Sequence, residues 1–243
     1  MTTKPTSTRL EHLIEEQARK WQLAMNMRKK RREPNPPVIT ISRQPGSGDH
    51  IFARRIAEEL NLDIFDDKII HEVAESAQMS EKVVASLDEK MRSTLDNWIQ
   101  FLKTTRFFFS DKYLLHLTRV IGAAGEHGGA LIIGRGANLI LPAEETLRIR
   151  FVAPMAVKIK NLSEGLAISA EEAEERIVKI EAERKAFIKK HFKVDVDDPI
   201  NYDIVINTEF MDVDKIVTLV RSSLKYKKPK ERRETDKKMA AEK

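Results

Sequence analysis

Near the start of the chain the apolar residues Leu10, Leu13, Ile14, Ala18, Trp21 and Met25 recur every three or four positions. That spacing predicts an amphipathic helix over Arg9 to Met25. The basic run Arg28-Lys29-Lys30-Arg31-Arg32 follows it, and then Pro34-Asn35-Pro36-Pro37. Proline lacks a backbone N–H and fixes φ, so this segment reads as a stiff linker and the domain proper begins at Val38. Val38-Ile39-Thr40-Ile41 is a β-branched run, Arg43 to Asp49 is rich in small residues, and Ile51, Ile56 and Leu60 have helical spacing. The order is strand, turn, helix. A second short strand is predicted at Leu62 to Phe65, and a helix that buries Ile69, Ile70, Val73 and Ala74.

Residues 80–127 read as mostly helical, with apolar positions at Val83, Val84, Leu87, Leu95, Trp98, Ile99 and Leu102. Phe107-Phe108-Phe109 reads as core, or in one ring as a surface for stacking a base. Ala130 to Ile133 is a continuous apolar run ending at Gly134, the pattern of a parallel strand covered on both faces. Leu147 to Val152 is a further strand, interrupted by Arg148 and Arg150. Ser169 with Glu172 has capping-box spacing and opens a long charged helix toward His191. Tyr202 to Asn207 gives the last strand and Val213 to Leu224 the last helix. Strands alternating with helices predict an α/β fold with a mostly parallel sheet, whose ligands sit beyond the C-terminal ends of the strands.

The length of 243 residues and 41% hydrophobic content suit one core with appendages. Cysteine is absent, so disulfides, thiolate nucleophiles and cysteine-held zinc are excluded. The six histidines are scattered without ligand spacing, and no metal site is expected. With no apolar run of about 18 residues and no signal-like start, a cytoplasmic protein without a membrane span is expected. The net charge of +5 is carried by the ends: residues 1–37 and 225–243 each hold nine Lys/Arg against four Asp/Glu, leaving −5 on residues 38–224. Nucleic acid is therefore not an expected partner of the core, and any anion site there must be built locally. The first helix is expected to pack on the domain or on a second copy, as a homodimer contact, with its basic run solvated. The competing reading is a membrane or RNA contact. The 225–243 segment reads as a basic, disordered tail.

The candidate chemistry begins at Gln44-Pro45-Gly46-Ser47-Gly48-Asp49. A glycine turn between a buried strand and a helix can wrap phosphate, because glycine reaches the needed dihedrals and the helix start offers unpaired N–H donors. An ordinary tight connection would look similar. The pattern G-x-x-x-x-G-K-[ST] is not met: Arg43 stands at its first glycine, Asp49 at its lysine, and neither His50 nor Ile51 is a hydroxyl residue. Positive charge must then come from elsewhere, with Arg43 nearest and Arg184, Lys185, Lys189 and Lys190 on the long helix. By charge pattern alone the reading of that helix as a solvated surface prevails.

Several ordered motifs resemble the cytidylate kinase-like family, a branch of the nucleoside monophosphate kinases. They are Ile41-Ser42-Arg43-Gln44-Pro45-Gly46-Ser47-Gly48, Phe65-Asp66-Asp67-Lys68-Ile69-Ile70, Ile133-Gly134-Arg135-Gly136-Ala137 and Val152-Ala153-Pro154. Glu183-Arg184, Asp198-Pro199 and Tyr202-Asp203-Ile204-Val205-Ile206-Asn207-Thr208 complete the set. The resemblance implies a three-layer P-loop kinase-like fold over residues 38–224, with a helical acceptor-side insertion near 80–128 and a lid helix near 169–192. Members of this branch often lack the loop lysine. The resemblance places Arg135 on an acceptor-binding arginine, with Gly136 where ordinary cytidylate kinases carry aspartate. It makes Arg184 a lid arginine assisted by Lys189, and Gln44 to Asp49 the nucleotide-binding loop. Asp66 would orient the acceptor or hold magnesium's water shell, against the plain alternative of a helix cap. The implied reaction is in-line transfer from ATP, with Mg2+ carried by the nucleotide, to a nucleoside monophosphate such as CMP. The alternatives are a non-catalytic nucleotide-sensing protein on the same fold and, third, an RNA-associated protein using the basic ends.

Overall fold

The computed structural model describes residues 5–31, 35–105 and 111–227. In chain order the elements are α1 (Pro5–Arg31), β1 (Val38–Arg43), α2 (Asp49–Leu60), β2 (Asp63–Phe65), α3 (Asp67–Glu75), α4 (Ala77–Ala85), α5 (Glu89–Thr105) and α6 (Lys112–His127). They continue with β3 (Ala130–Ile133), α7 (Ala137–Ile140), β4 (Thr146–Val152), α8 (Met155–Leu166), α9 (Ala170–Phe192), β5 (Ile204–Asn207) and α10 (Val213–Leu224). The chain divides into two compact units, one of Val38–Ile64 with Leu131–Lys227, the other containing α1 and the helices between Phe65 and Ala130.

The first unit holds the sheet, in the order β2-β3-β1-β4-β5. β1 runs parallel to β4 with Ile41 opposite Ile149, and β4 runs parallel to β5 with Phe151 opposite Ile206. Ile39, Ile41, Leu131, Ile133, Leu147, Ile149 and Phe151 form its core with Phe52 and Ile56 of α2 and Ile216, Val217 and Val220 of α10. Apart from Leu131 and Leu147, the strand residues among them are β-branched or aromatic, side chains that pack well on a pleated surface. Asp212 caps α10 through Lys215 N at 2.8 Å. α8 has no counterpart in the sequence reading. Met155, Ile159, Leu162 and Leu166 do recur at helical spacing, but its buried residue is Lys158, a type that sequence reads as surface.

The second unit is helical. α1 exceeds the predicted Arg9–Met25, running on through Arg31 and so through most of the basic run. Trp21 is buried and stacks on His127 of α6, with ring centroids 4.1 Å apart. Arg28 donates to the His127 carbonyl at 3.0 Å, and Lys82 of α4 pairs with Glu11 at 3.3 Å. The apolar face read from the sequence is thus used within this unit. The predicted 80–127 helical stretch resolves into the end of α4, then α5 and α6. Gly122 lets Leu95 approach, since a Cβ there would meet Leu95 Cδ1 at 2.3 Å. Phe107-Phe108-Phe109, and all of the 225–243 tail beyond Lys227, lie outside the described residues. Among the described residues no helix is long and apolar enough to cross a membrane.

Candidate functional site

Where β1 ends, the backbone turns through Gly46 and Gly48, both at φ 78°, and enters α2 at Asp49. The turn is held from three sides. Gln44 N–H donates to Phe151 O at 3.0 Å, and its side-chain Oε1 accepts from Ala153 N at 3.1 Å, fixing the turn to the end of β4. The buried Ser47 hydroxyl donates to Gln44 O at 2.8 Å, and Thr208, just past β5, donates to Ser47 O at 3.0 Å. From α8, Asn161 donates to Gly46 O at 2.8 Å, and the Lys158 backbone lies so close that a Cβ on Gly46 would sit 2.5 Å from Lys158 O. Pro45 is buried.

Among the described residues the N–H groups of Gly46 and Gly48 donate to nothing, and the α2 N-cap, Gly48, supplies no side-chain hydrogen bond. Such a turn presents backbone donors and the positive end of a helix dipole to an anion. The side chains of Gln44 and Ser47 are consumed in shaping it.

α9 brings the positive charge. Ser169 caps it through Glu172 N at 3.1 Å, as the sequence spacing predicts. Farther along, the Arg184 guanidinium donates to Arg43 O at 3.0 Å, at the root of the glycine turn. Arg184 therefore meets the backbone of Arg43. Lys189 is exposed on the last turns of α9, five residues beyond Arg184 and so about 140° further round the helix. It makes no hydrogen bond or ion pair with the turn among the described residues.

Arg135 follows β3, next to β1, where Gly134 N–H donates to Ile41 O at 2.9 Å. Its guanidinium lies 5.5 Å from the Phe187 ring centroid of α9. Asp66 belongs to the helical unit and caps α3, accepting from Lys68 N at 3.0 Å and Ile69 N at 2.8 Å.

Ion pairs that anchor α9 escaped the sequence reading, the one at Lys158 largely buried and the ones at Asp197 partly exposed. Lys158, in α8, pairs with Glu181 at 2.6 Å. Arg150, whose side chain is 5% exposed, pairs with Asp197 and donates to Ser42 Oγ at 2.8 Å, while Lys185 reaches the other Asp197 oxygen at 2.7 Å. Tyr202 OH donates to Val196 O at 2.7 Å. Burial pushes the Asp197 carboxyl up, but the Lys185 hydrogen bond and the Arg150 and Lys185 charges outweigh it and leave its pKa below the ordinary value. Burial raises the Tyr202 phenol. The available signal was Arg150 itself, which with Arg148 is one of two charges in a mostly apolar strand.

A mostly parallel five-stranded sheet that delivers a glycine turn into a helix, with an arginine-bearing helix reaching the root of that turn, defines an α/β protein of the P-loop kinase class. Within that class, the cytidylate kinase-like family pattern matches residues 38–210, and the chain belongs to that family. A cytidylate kinase of Methanopyrus kandleri is 28% identical over 197 residues, covering 77% of this chain and 92% of that protein. One from Methanocaldococcus jannaschii is 26% identical over 191 residues, covering 77% and 97%. The solved structure of an uncharacterized protein from Eubacterium ventriosum shares the fold, with a TM-score of 0.59, 21% identity, and coverage of 78% of this chain and 98% of that one.

Proposed function

We propose that this nucleotide kinase-like protein transfers the terminal phosphoryl group of ATP to a nucleoside monophosphate, with CMP the acceptor suggested by the relatives named cytidylate kinase. The observation that carries the reading is the Arg184 guanidinium, 3.0 Å from Arg43 O at the root of the glycine turn. The turn fits a phosphate chain, since among the described residues its Gly46 and Gly48 N–H groups donate to nothing. Gln44 to Asp49 would cradle the triphosphate, and Arg43 with Arg184 would supply the charge that lysine gives elsewhere. Arg135 would hold the acceptor phosphate. Lys189 and Asp66 remain in the proposal as an assisting cation and an acceptor-orienting carboxylate. An acceptor phosphate oxygen attacks the γ-phosphorus, the bond to the β-phosphate oxygen breaks, and ADP leaves with that electron pair. Magnesium, arriving on the nucleotide, would neutralise β- and γ-phosphate charge. The protein would work in the cytoplasm, and the exposed face of α1 would serve any homodimer.

The test is a coupled assay of ADP formation from ATP-Mg2+ against CMP, UMP, AMP and GMP. Acceptor-dependent turnover, fastest with CMP, is the expected result. Nucleotide binding without turnover for any of the four would replace this reading with that of a non-catalytic nucleotide sensor.

A further inference from the structure

The turn after β3 carries three successive residues in the left-handed region: Gly134 at φ 78°, Arg135 at 52° and Gly136 at 71°. Glycine adopts this region freely, whereas an arginine there is strained and persists only when its surroundings fix it. Two aromatic rings of α9 form part of those surroundings. Phe187 of α9 places its ring under the Arg135 guanidinium, 5.5 Å from centroid to Cζ. Phe192, 2% exposed, fills the space beside Gly136 so closely that a Cβ there would meet its Cε2 at 2.4 Å. The two rings also touch edge to face, with centroids 6.2 Å apart.

Phe187 lies three residues after Arg184, so the two share a face of α9. One end of that face meets the root of the glycine turn through Arg184, and the other meets the strained arginine through Phe187. Stacking on an aromatic face engages the plane of a guanidinium and not its in-plane N–H donors, which are the donors that grip a phosphate.

We propose that Phe187 is a positioning residue for the acceptor site, its ring aiming Arg135 at the acceptor phosphate from the same helix face that carries Arg184. The inference rests on the phosphoryl-transfer reading above. It makes acceptor binding, and not donor binding, depend on an aromatic ring that touches neither nucleotide.

Phe187→Leu keeps an apolar side chain of similar size and removes the π face. Kinetics with ATP and CMP, together with calorimetric binding of CMP, should give an acceptor Kd and KM raised about fivefold, with the ATP KM unchanged. Phe187→Tyr should restore the wild-type values. In an Arg135→Ala background Phe187→Leu should have no further effect, because the residue it positions is gone. An equal loss in both backgrounds, or a loss that Phe187→Tyr does not rescue, would mean the ring acts only in packing and would overturn the proposal. Wild-type CMP binding that Phe187→Leu leaves unchanged overturns it while sparing the transfer reading. If the wild type binds none of CMP, UMP, AMP or GMP, the transfer reading fails and takes this inference with it.

Discussion

At the scale of single residues, the site depends on where backbone atoms sit. Gly46 and Gly48 share the same φ, so an L side chain is equally strained at either, but their surroundings differ. A Cβ on Gly46 meets the Lys158 carbonyl oxygen at 2.5 Å, which cannot yield without moving α8, whereas one on Gly48 meets a Phe52 ring atom at 3.0 Å. Gly46→Ala should therefore abolish transfer and lower the melting temperature, and Gly48→Ala should do less of both. Equal effects on turnover and melting would contradict this account of the turn. The turn itself was legible in the sequence, because glycines bracketing a serine between an apolar strand and a helical pattern mark a tight strand-to-helix connection. The residues that brace it were not, since Asn161 and Thr208 lie more than a hundred positions away and only the fold brings them close.

At the scale of elements, α9 is held in part by the largely buried Lys158–Glu181 pair, and a pair of that kind is costly to break from one side. Lys158→Met should destabilise the protein by up to about 3 kcal/mol in chemical denaturation, leaving Glu181 without its partner. Adding Glu181→Leu should recover part of that loss, and no recovery would mean that Lys158 acts mainly through its packing. Asp197 gives the acid limit. Its folded pKa is lowered, so its stabilising contribution is present above the unfolded value, near pH 4, and is lost as pH falls through the folded value. Asp203 adds to the same dependence, as hydrogen bonds from Arg148 and Lys227 outweigh the upward push of burial. An Asp197→Asn variant should be less stable at neutral pH and lose less than the wild type between pH 5 and about pH 2, as read by melting temperature. A parallel pH profile would remove Asp197 from this role. The start of α9 was legible from Ser169 and Glu172. α8 was not, because a buried lysine reads as a surface residue until its carboxylate partner is known.

At the scale of the molecule, the uneven charge separates the ends from the core. The segment 38–224 is acidic overall, so an anion site within it has to be built by local geometry rather than by general attraction. α1 is more than a basic leader, since Trp21 is 5% exposed and stacks on His127. Trp21→Ala should cost about 3 to 5 kcal/mol of stability, measured by denaturation. A negligible cost would return α1 to the status of a loosely attached tail. The sheet and its parallel order followed from apolar runs alternating with helical spacing. That α1 belongs to the helical unit could not be read the same way, because an amphipathic helix announces a buried face without naming what covers it.

The measurement that bears most directly on function follows the label from γ-32P ATP into product with CMP as acceptor, comparing the wild type with Arg184→Ala. The wild type should produce labelled CDP. Arg184→Ala should lower kcat by about a hundredfold while CMP affinity changes far less, as expected for a group that acts on the transferring phosphoryl. Labelled inorganic phosphate in place of CDP, or an Arg184→Ala variant whose turnover and CMP binding fall together, would contradict the assignment.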